Sequence, residues 1–121
     1  MDFSELKKSV YNRINALLTQ NVYTKQAPEN AVFPYAVIKF PSSSKTVLWK
    51  QDWIIEIDFW DDTNDSTTVM TMADTVREGF DAYLLSDSNI NFRTYLDFEG
   101  EFPTDIPEMS RMNQRYSCPT F

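Results

Sequence analysis

Histidine is missing from this sequence, cysteine occurs once, as Cys118, and glycine only twice, at Gly79 and Gly100. Each scarcity excludes something. Without histidine there is no serine–histidine or cysteine–histidine catalytic pair, and the commonest metal ligand is gone. A lone cysteine makes no internal disulfide, and Cys118 has only Arg115 as a nearby cation in sequence, too little to activate a thiolate. Two isolated glycines build no phosphate-cradling loop. No apolar run reaches the roughly eighteen residues a membrane span requires. The opening MDFSELKKSV has neither the basic region nor the apolar run of a secretion signal, which predicts a soluble protein made in the cytosol.

Material for a core is plentiful. Of 121 residues, 42% are hydrophobic and 15% aromatic, enough for one domain over residues 1–121 that buries roughly two-thirds of its unfolded surface. Acidic residues outnumber basic ones 18 to 11, for a net charge of −7. That charge repels a phosphate backbone unless a local basic patch overcomes it. The pairs Lys7 with Lys8, Lys45 with Lys50, and Arg111 with Arg115 form no dense, aromatic-interleaved footprint, so no specific nucleic-acid binding is expected.

Periodicity orders the elements. Phe3, Leu6, Val10, Ile14, Leu17 and Leu18 recur at helical spacing, predicting a helix over about 3–19, with Asp2 and Glu5 at capping-box spacing. Pro34 then opens a strand through Tyr35–Phe40, apolar on both phases and so covered on both faces. Residues 46–60 give the clearest strand. Trp53, Ile55, Ile57 and Phe59 share one apolar face, while Ile54, Glu56, Asp58 and Trp60 share a mixed one. Asp65 and Ser66 are candidate caps for a second helix, whose stripe runs through Val69, Met72, Ala73, Val76, Phe80, Tyr83 and Leu84. Gly79 inside it predicts a close approach of that helix to the sheet. Alternation from Ile90 to Phe98 makes another strand, residues 99–108 an acidic loop with two prolines, and residues 109–118 a last strand. The order α-β-β-α-β-β predicts an α+β two-layer sandwich: a mostly antiparallel sheet of four to five strands with two helices on one face.

Three groups invite a functional reading. The carboxylates Asp52, Glu56, Asp58, Asp61 and Asp62 are the nearest thing to a metal site, and a metal-dependent hydrolase would draw on Glu56, Asp58 and Asp61. No Glu-x-Lys arrangement accompanies them, and the competing reading is a solvated or subunit-facing strand surface. Asp61, Thr63 and Asp65 begin like a calcium loop, but Ser66 and Met72 stand where the glycine and glutamate belong. No metal or cofactor is therefore expected. Trp60 is out of phase with the apolar row, and Trp49 shares that row but lies at the other end of the strand; both are candidates for a subunit contact. So are Glu101, Phe102, Asp105 and Ile106, in a proline-stiffened loop where apolar residues stand isolated among acids.

FPYAVIKF at 33–40, and WIIEIDFWDD at 53–62 followed directly by a helix, resemble the tail terminator (tail completion) proteins of long-tailed bacteriophages. The likeness covers nearly the whole chain in element order and length. It implies a structural virion protein and not an enzyme: a small α+β unit forming a hexameric ring on the last ring of tail-tube subunits. Such a ring stops tube growth and offers a surface to the head-side connector, in the tail or neck of the particle. Another head–tail connector or minor tail protein would share these features. Acidic walls suit a lumen through which DNA passes without sticking. A head-to-tail ring needs two different complementary patches; the expectation is that loop 99–108 supplies one and that Arg111 and Arg115 contribute to the other.

Overall fold

The stripe Leu6, Val10 and Ile14 is fully buried, and it turns the first helix, α1 (Phe3–Leu17), onto the rest of the molecule. The computed structural model describes residues 3–41, 43–47, 50–86, 91–102 and 104–120. After α1 come strands β1 (Asn21–Thr24), β2 (Tyr35–Lys39), β3 (Ser43–Val47) and β4 (Lys50–Asp61), then helix α2 (Thr67–Phe80). The short strands β5 (Leu84–Ser86) and β6 (Asn91–Arg93) pair with each other, and β7 (Tyr95–Glu101) and β8 (Ser110–Thr120) complete the fold.

The main sheet has the order β1-β2-β4-β8-β7, and β3 pairs with the first half of β4, on the edge that β2 occupies further along. Every pairing is antiparallel except β1 with β2. Helix α2 lies against β4 and β8, and α1 against β1 and α2. This is the α+β arrangement the periodicity predicts. Ile55, Ile57 and Phe59 of β4 point into the helical layer, each fully buried and each contributing about 1.5–3 kcal/mol by leaving water. Trp53 of the same row lies at its margin, stacked on Phe3 with centroids 4.4 Å apart.

Several elements differ from the sequence expectation, each for a local reason. The strand over 46–60 is two strands, β3 and β4, which pair as a hairpin. The strand over 90–98 is likewise β6 and β7, interrupted at buried Thr94. Helix α2 stops at Phe80, so Tyr83 and Leu84 leave its stripe: Asp81 makes the last helical bond, to Arg77 O at 3.1 Å, and Ala82 takes a positive φ of 55°. The Thr94 hydroxyl donates to Phe80 O, and the Asp81 carboxylate accepts from Leu96 N at 2.8 Å, tying the helix end to the following strands. At the other end of α2 the Asp65 carboxylate, not Ser66, accepts from Thr67 N at 3.0 Å. Asp2 of the predicted capping box lies outside the described residues.

Gly79 serves a different contact from the one expected. A Cβ there would sit 2.4 Å from Leu17 Cδ2, so the glycine admits α1 rather than the sheet. Arg13 of α1 completes the junction, donating to Gly79 O from Nε at 3.1 Å and Nη2 at 2.8 Å. Gly79→Val is expected to lower stability by about 1–3 kcal/mol through overpacking against Leu17, measurable by urea denaturation. An unchanged midpoint would show that the helix pair opens freely.

A buried polar chain joins α2 to the sheet. Gln114 donates to Ala73 O at 2.7 Å and to the Glu99 carboxylate at 2.8 Å, while its own carbonyl accepts from the Tyr116 hydroxyl at 2.7 Å. Glu99 in turn accepts two bonds from Arg77 Nη1. Gln114 and Tyr116 are both fully buried, so this satisfied network fixes how α2 sits on β7 and β8.

Candidate functional site

Alternation along β4 and β8 sends one row of side chains toward the helices and the other to the opposite, open face of the sheet. The register builds that face from three cross-strand rows. Tyr35 stands opposite Trp60 and Trp60 opposite Arg111; Val37 opposite Asp58 and Asp58 opposite Asn113; Lys39 opposite Glu56 and Glu56 opposite Arg115. The middle row is closed off from solvent, with Asp58 and Asn113 at 0% exposure and Val37 at 3%.

Asp58 is the hub. Arg111 donates to its Oδ1 from Nε at 3.1 Å and from Nη2 at 2.8 Å, Asn113 Nδ2 donates to the same oxygen at 2.8 Å, and Lys39 Nζ stands 3.0 Å from Oδ2. Asn113 also donates to Glu56 Oε1 at 3.0 Å, and Arg115 pairs with Glu56 Oε2 at 3.4 Å. Asp58 is therefore a buried, cation-held carboxylate and not a member of a solvated surface row. Charged neighbours from β2 and β8 make its burial possible, because an unpaired charge is costly to take out of water.

The carboxylates do not converge as a metal-dependent hydrolase requires. Glu56 and Asp58 face the open side, committed to cations and Asn113, whereas Asp61 falls in the helix-side row and accepts from Asp62 N at 2.8 Å. Among the described residues no three acidic, cysteine or histidine side chains group as a metal site. Cys118 is fully buried on the helix side, its thiol pushed up to about 11 by burial and by the Asp52 charge. A thiol so protonated is a poor nucleophile.

Aromatic rings surround the neutralised hub. The Arg111 guanidinium lies 5.0 Å from the Trp60 ring centroid and 5.0 Å from that of Phe102. Phe102 approaches Phe98 at 5.8 Å, and Tyr35 meets Tyr23 at 5.7 Å and Phe33 at 4.9 Å. Burial, with the nearby Tyr23, raises the Tyr35 pKa. Phe98 remains 44% exposed. Such a face, aromatic at its rim and with its charges paired at its centre, suits contact with another protein.

The structure thus gathers Trp60, Phe102, Arg111 and Arg115 at one side of the sheet. Glu101 pairs opposite Met112, in the helix-side row, and is exposed. Asp105 and Ile106 are exposed at the tip of the acidic loop, away from this cluster, and Trp49 lies outside the described residues. Sequence reasoning missed Lys39 and Asn113. The available signal was the single charge in YAVIK, which has meaning only once β2 is registered on β4.

Among the described residues no helix is long and apolar enough to cross a membrane. No protein-family profile and no curated protein matches the sequence. Solved structures do resemble the fold. A chain of the virion of a native gene transfer agent particle superposes with a TM-score of 0.74 at 14% identity, covering 95% of this chain and 93% of that one. A second solved chain, whose name gives no function, superposes with a TM-score of 0.64 at 11% identity over 98% of this chain and 96% of its own length.

Proposed function

We propose that this protein is a structural component of a phage-like virion, a tail terminator that assembles as a ring, most simply a hexamer. The ring caps the tail tube, ends its polymerisation and presents its other side to the head-completion or connector protein. The observation that carries this reading is the end-to-end likeness to a chain of a gene transfer agent virion, a match over nearly the full length of both. It joins the resemblance of segments 33–40 and 53–62 to tail terminators.

The residues support a stoichiometric role. Glu56 and Asp58, two of the carboxylates that an enzyme would use, are tied to Lys39, Arg111 and Arg115, while the open face offers rings and paired charges. With a net charge of −7, a ring of such subunits presents DNA with a lumen that repels phosphate.

The test is deletion of the gene from the phage that carries it, with tail lengths read by electron microscopy. The expected result is headless tubes of uncontrolled length, corrected by the gene in trans, and about six copies of the chain per intact particle by quantitative mass spectrometry, as a closed ring requires. Tails of normal length attached to heads would overturn the terminator role. Hundreds of copies per particle would make the protein a tube or shell subunit instead.

A further inference from the structure

Two lysines of this acidic protein, Lys7 and Lys25, stand at one apolar hollow. A pocket of about 420 Å³ opens where β1, β2 and the start of α1 come together. Phe3, Ile38, Phe40 and Pro41 line it with Lys7 and Lys25, and Lys39 borders it while its ammonium turns to Asp58 on the other face of the sheet. Lys7 Nζ is held over the floor, 5.1 Å from the Phe3 centroid and 5.9 Å from that of Phe40. Lys39 shares its charge with Asp58, while no described carboxylate forms an ion pair with Lys7 or Lys25.

The opposite edge of the sheet carries the complementary shape. Between β7 and β8 the loop presents Ile106, 51% exposed, flanked by the exposed acids Asp105 and Glu108. The tip is internally tied: the Thr104 hydroxyl donates to Ile106 O at 2.6 Å, and Met109 N donates to Ile106 O at 3.1 Å. A preordered tip loses little entropy when it docks. Strands β1 and β7 are the two edges of the five-strand path, roughly 19 Å apart at about 4.8 Å per inter-strand step. The loop therefore does not fill its own pocket.

We propose that Ile106 of one subunit seats in the lysine-rimmed pocket of the next, with Asp105 and Glu108 against Lys7 and Lys25. This contact rests on the ring reading above and supplies its joint. An apolar side chain between two acids matches an apolar floor between lysines, and one patch at each sheet edge gives the heterologous, head-to-tail geometry from which rings are built. In this arrangement the lysines take the place of Arg111 and Arg115 as the complementary patch, since Arg111 lies against Phe102 at the loop's own base and both arginines pair with Asp58 and Glu56.

The test combines charge exchange with disulfide trapping on the full chain, following assembly by sedimentation velocity. The pair Lys7→Glu/Lys25→Glu and the pair Asp105→Lys/Glu108→Lys are each expected to weaken self-association at least about tenfold, and a mixture of the two to restore it. All four residues are at the surface, and circular dichroism verifies that each variant is folded. A mixture of Ile106→Cys and Lys25→Cys proteins is expected to cross-link, whereas Val32→Cys with Lys25→Cys is not; buried Cys118 takes no part. A wild-type protein that assembles, with no 106-to-25 cross-link and no response to exchange, overturns this contact and leaves the ring standing. A wild-type protein that neither self-associates nor adds to purified tail tubes overturns the contact and the ring together. Retained self-association with lost incorporation into particles, in the lysine variant alone, reassigns the pocket to an acidic segment of another virion protein and overturns self-docking.

Discussion

Asp58→Ala is expected to lower the unfolding free energy by about 3 kcal/mol or more, the scale for stripping one partner from a buried ion pair. The carboxylate has 0% exposure and holds Arg111, Lys39 and Asn113 at once. Removing it leaves two cations and an amide facing a void. The Arg111 side chain, 20% exposed, has little water to turn to; Lys39, at 41%, has more. The loss therefore falls at the lower end of the range for fully buried pairs. Urea denaturation measures it directly, and the melting temperature should drop by about 10 °C for a domain of this size. Asp58→Asn keeps the shape and an acceptor oxygen and should cost less. A loss below about 1 kcal/mol for the alanine variant would mean that water already reaches the hub. The same coupling complicates the simplest assembly test at this face: reversing the charge of Arg111 disturbs Asp58 first, so a failure to assemble would report misfolding.

Alkaline pH should unfold this protein early. Burial raises the Cys118 thiol from its ordinary 9.0 to about 11. It raises the Tyr116 phenol well above its ordinary 10.0, with Glu99 and Asp81 adding repulsion and Arg77 opposing it. An acid with a raised folded pKa keeps its proton in the fold after the unfolded chain has lost it. In that window the unfolded state binds fewer protons, and stability falls as pH rises. The decline begins near pH 9 with Cys118 and steepens near pH 10 with Tyr116. Each group contributes up to about 1.4 kcal/mol per pH unit, and because their windows overlap only in part the joint slope reaches roughly 2 kcal/mol per unit between about pH 10 and 11. Urea midpoints from pH 8 to 11 trace the curve. Cys118→Ala should remove the part that begins near pH 9, and Tyr116→Phe the part that begins near pH 10. A flat profile through pH 11 would show that neither group is as enclosed as the fold implies.

The sequence carried what periodicity can carry. Leu6, Val10 and Ile14 marked α1, and the alternation of Ile55, Ile57 and Phe59 marked β4; all six side chains are fully buried. Strands β1, β5 and β6 have three or four residues each, too few for a period to rise above chance. The end of α2 was hidden because Tyr83 and Leu84 continue its spacing, while a tertiary bond from Thr94 and the positive φ of Ala82 break it. At the candidate surface, parity placed Glu56, Asp58 and Trp60 together on one face. What parity lacks is register: only pairing with β2 and β8 shows that Lys39, Arg111 and Asn113 close over Asp58. The lysine-rimmed pocket was out of reach for a like reason, since residues 7 and 25 share no local pattern.

The pairing of β4 with β8 has a consequence for the chain during its synthesis. Asn113 and Asp58, hydrogen-bonded at the centre of the sheet, are 55 residues apart in sequence. At elongation rates of about 5 to 20 residues per second that separation takes about 3 to 11 seconds to translate. Until β8 is made, the β4 edge that it covers in the fold has no partner from its own chain, and Asp58 lacks its arginine. The nascent chain must stay out of trouble with an open, aromatic-rich strand edge. The acids spaced along that strand, Asp52, Glu56, Asp58 and Asp61, are what would keep one half-made copy from pairing with the next on a shared messenger.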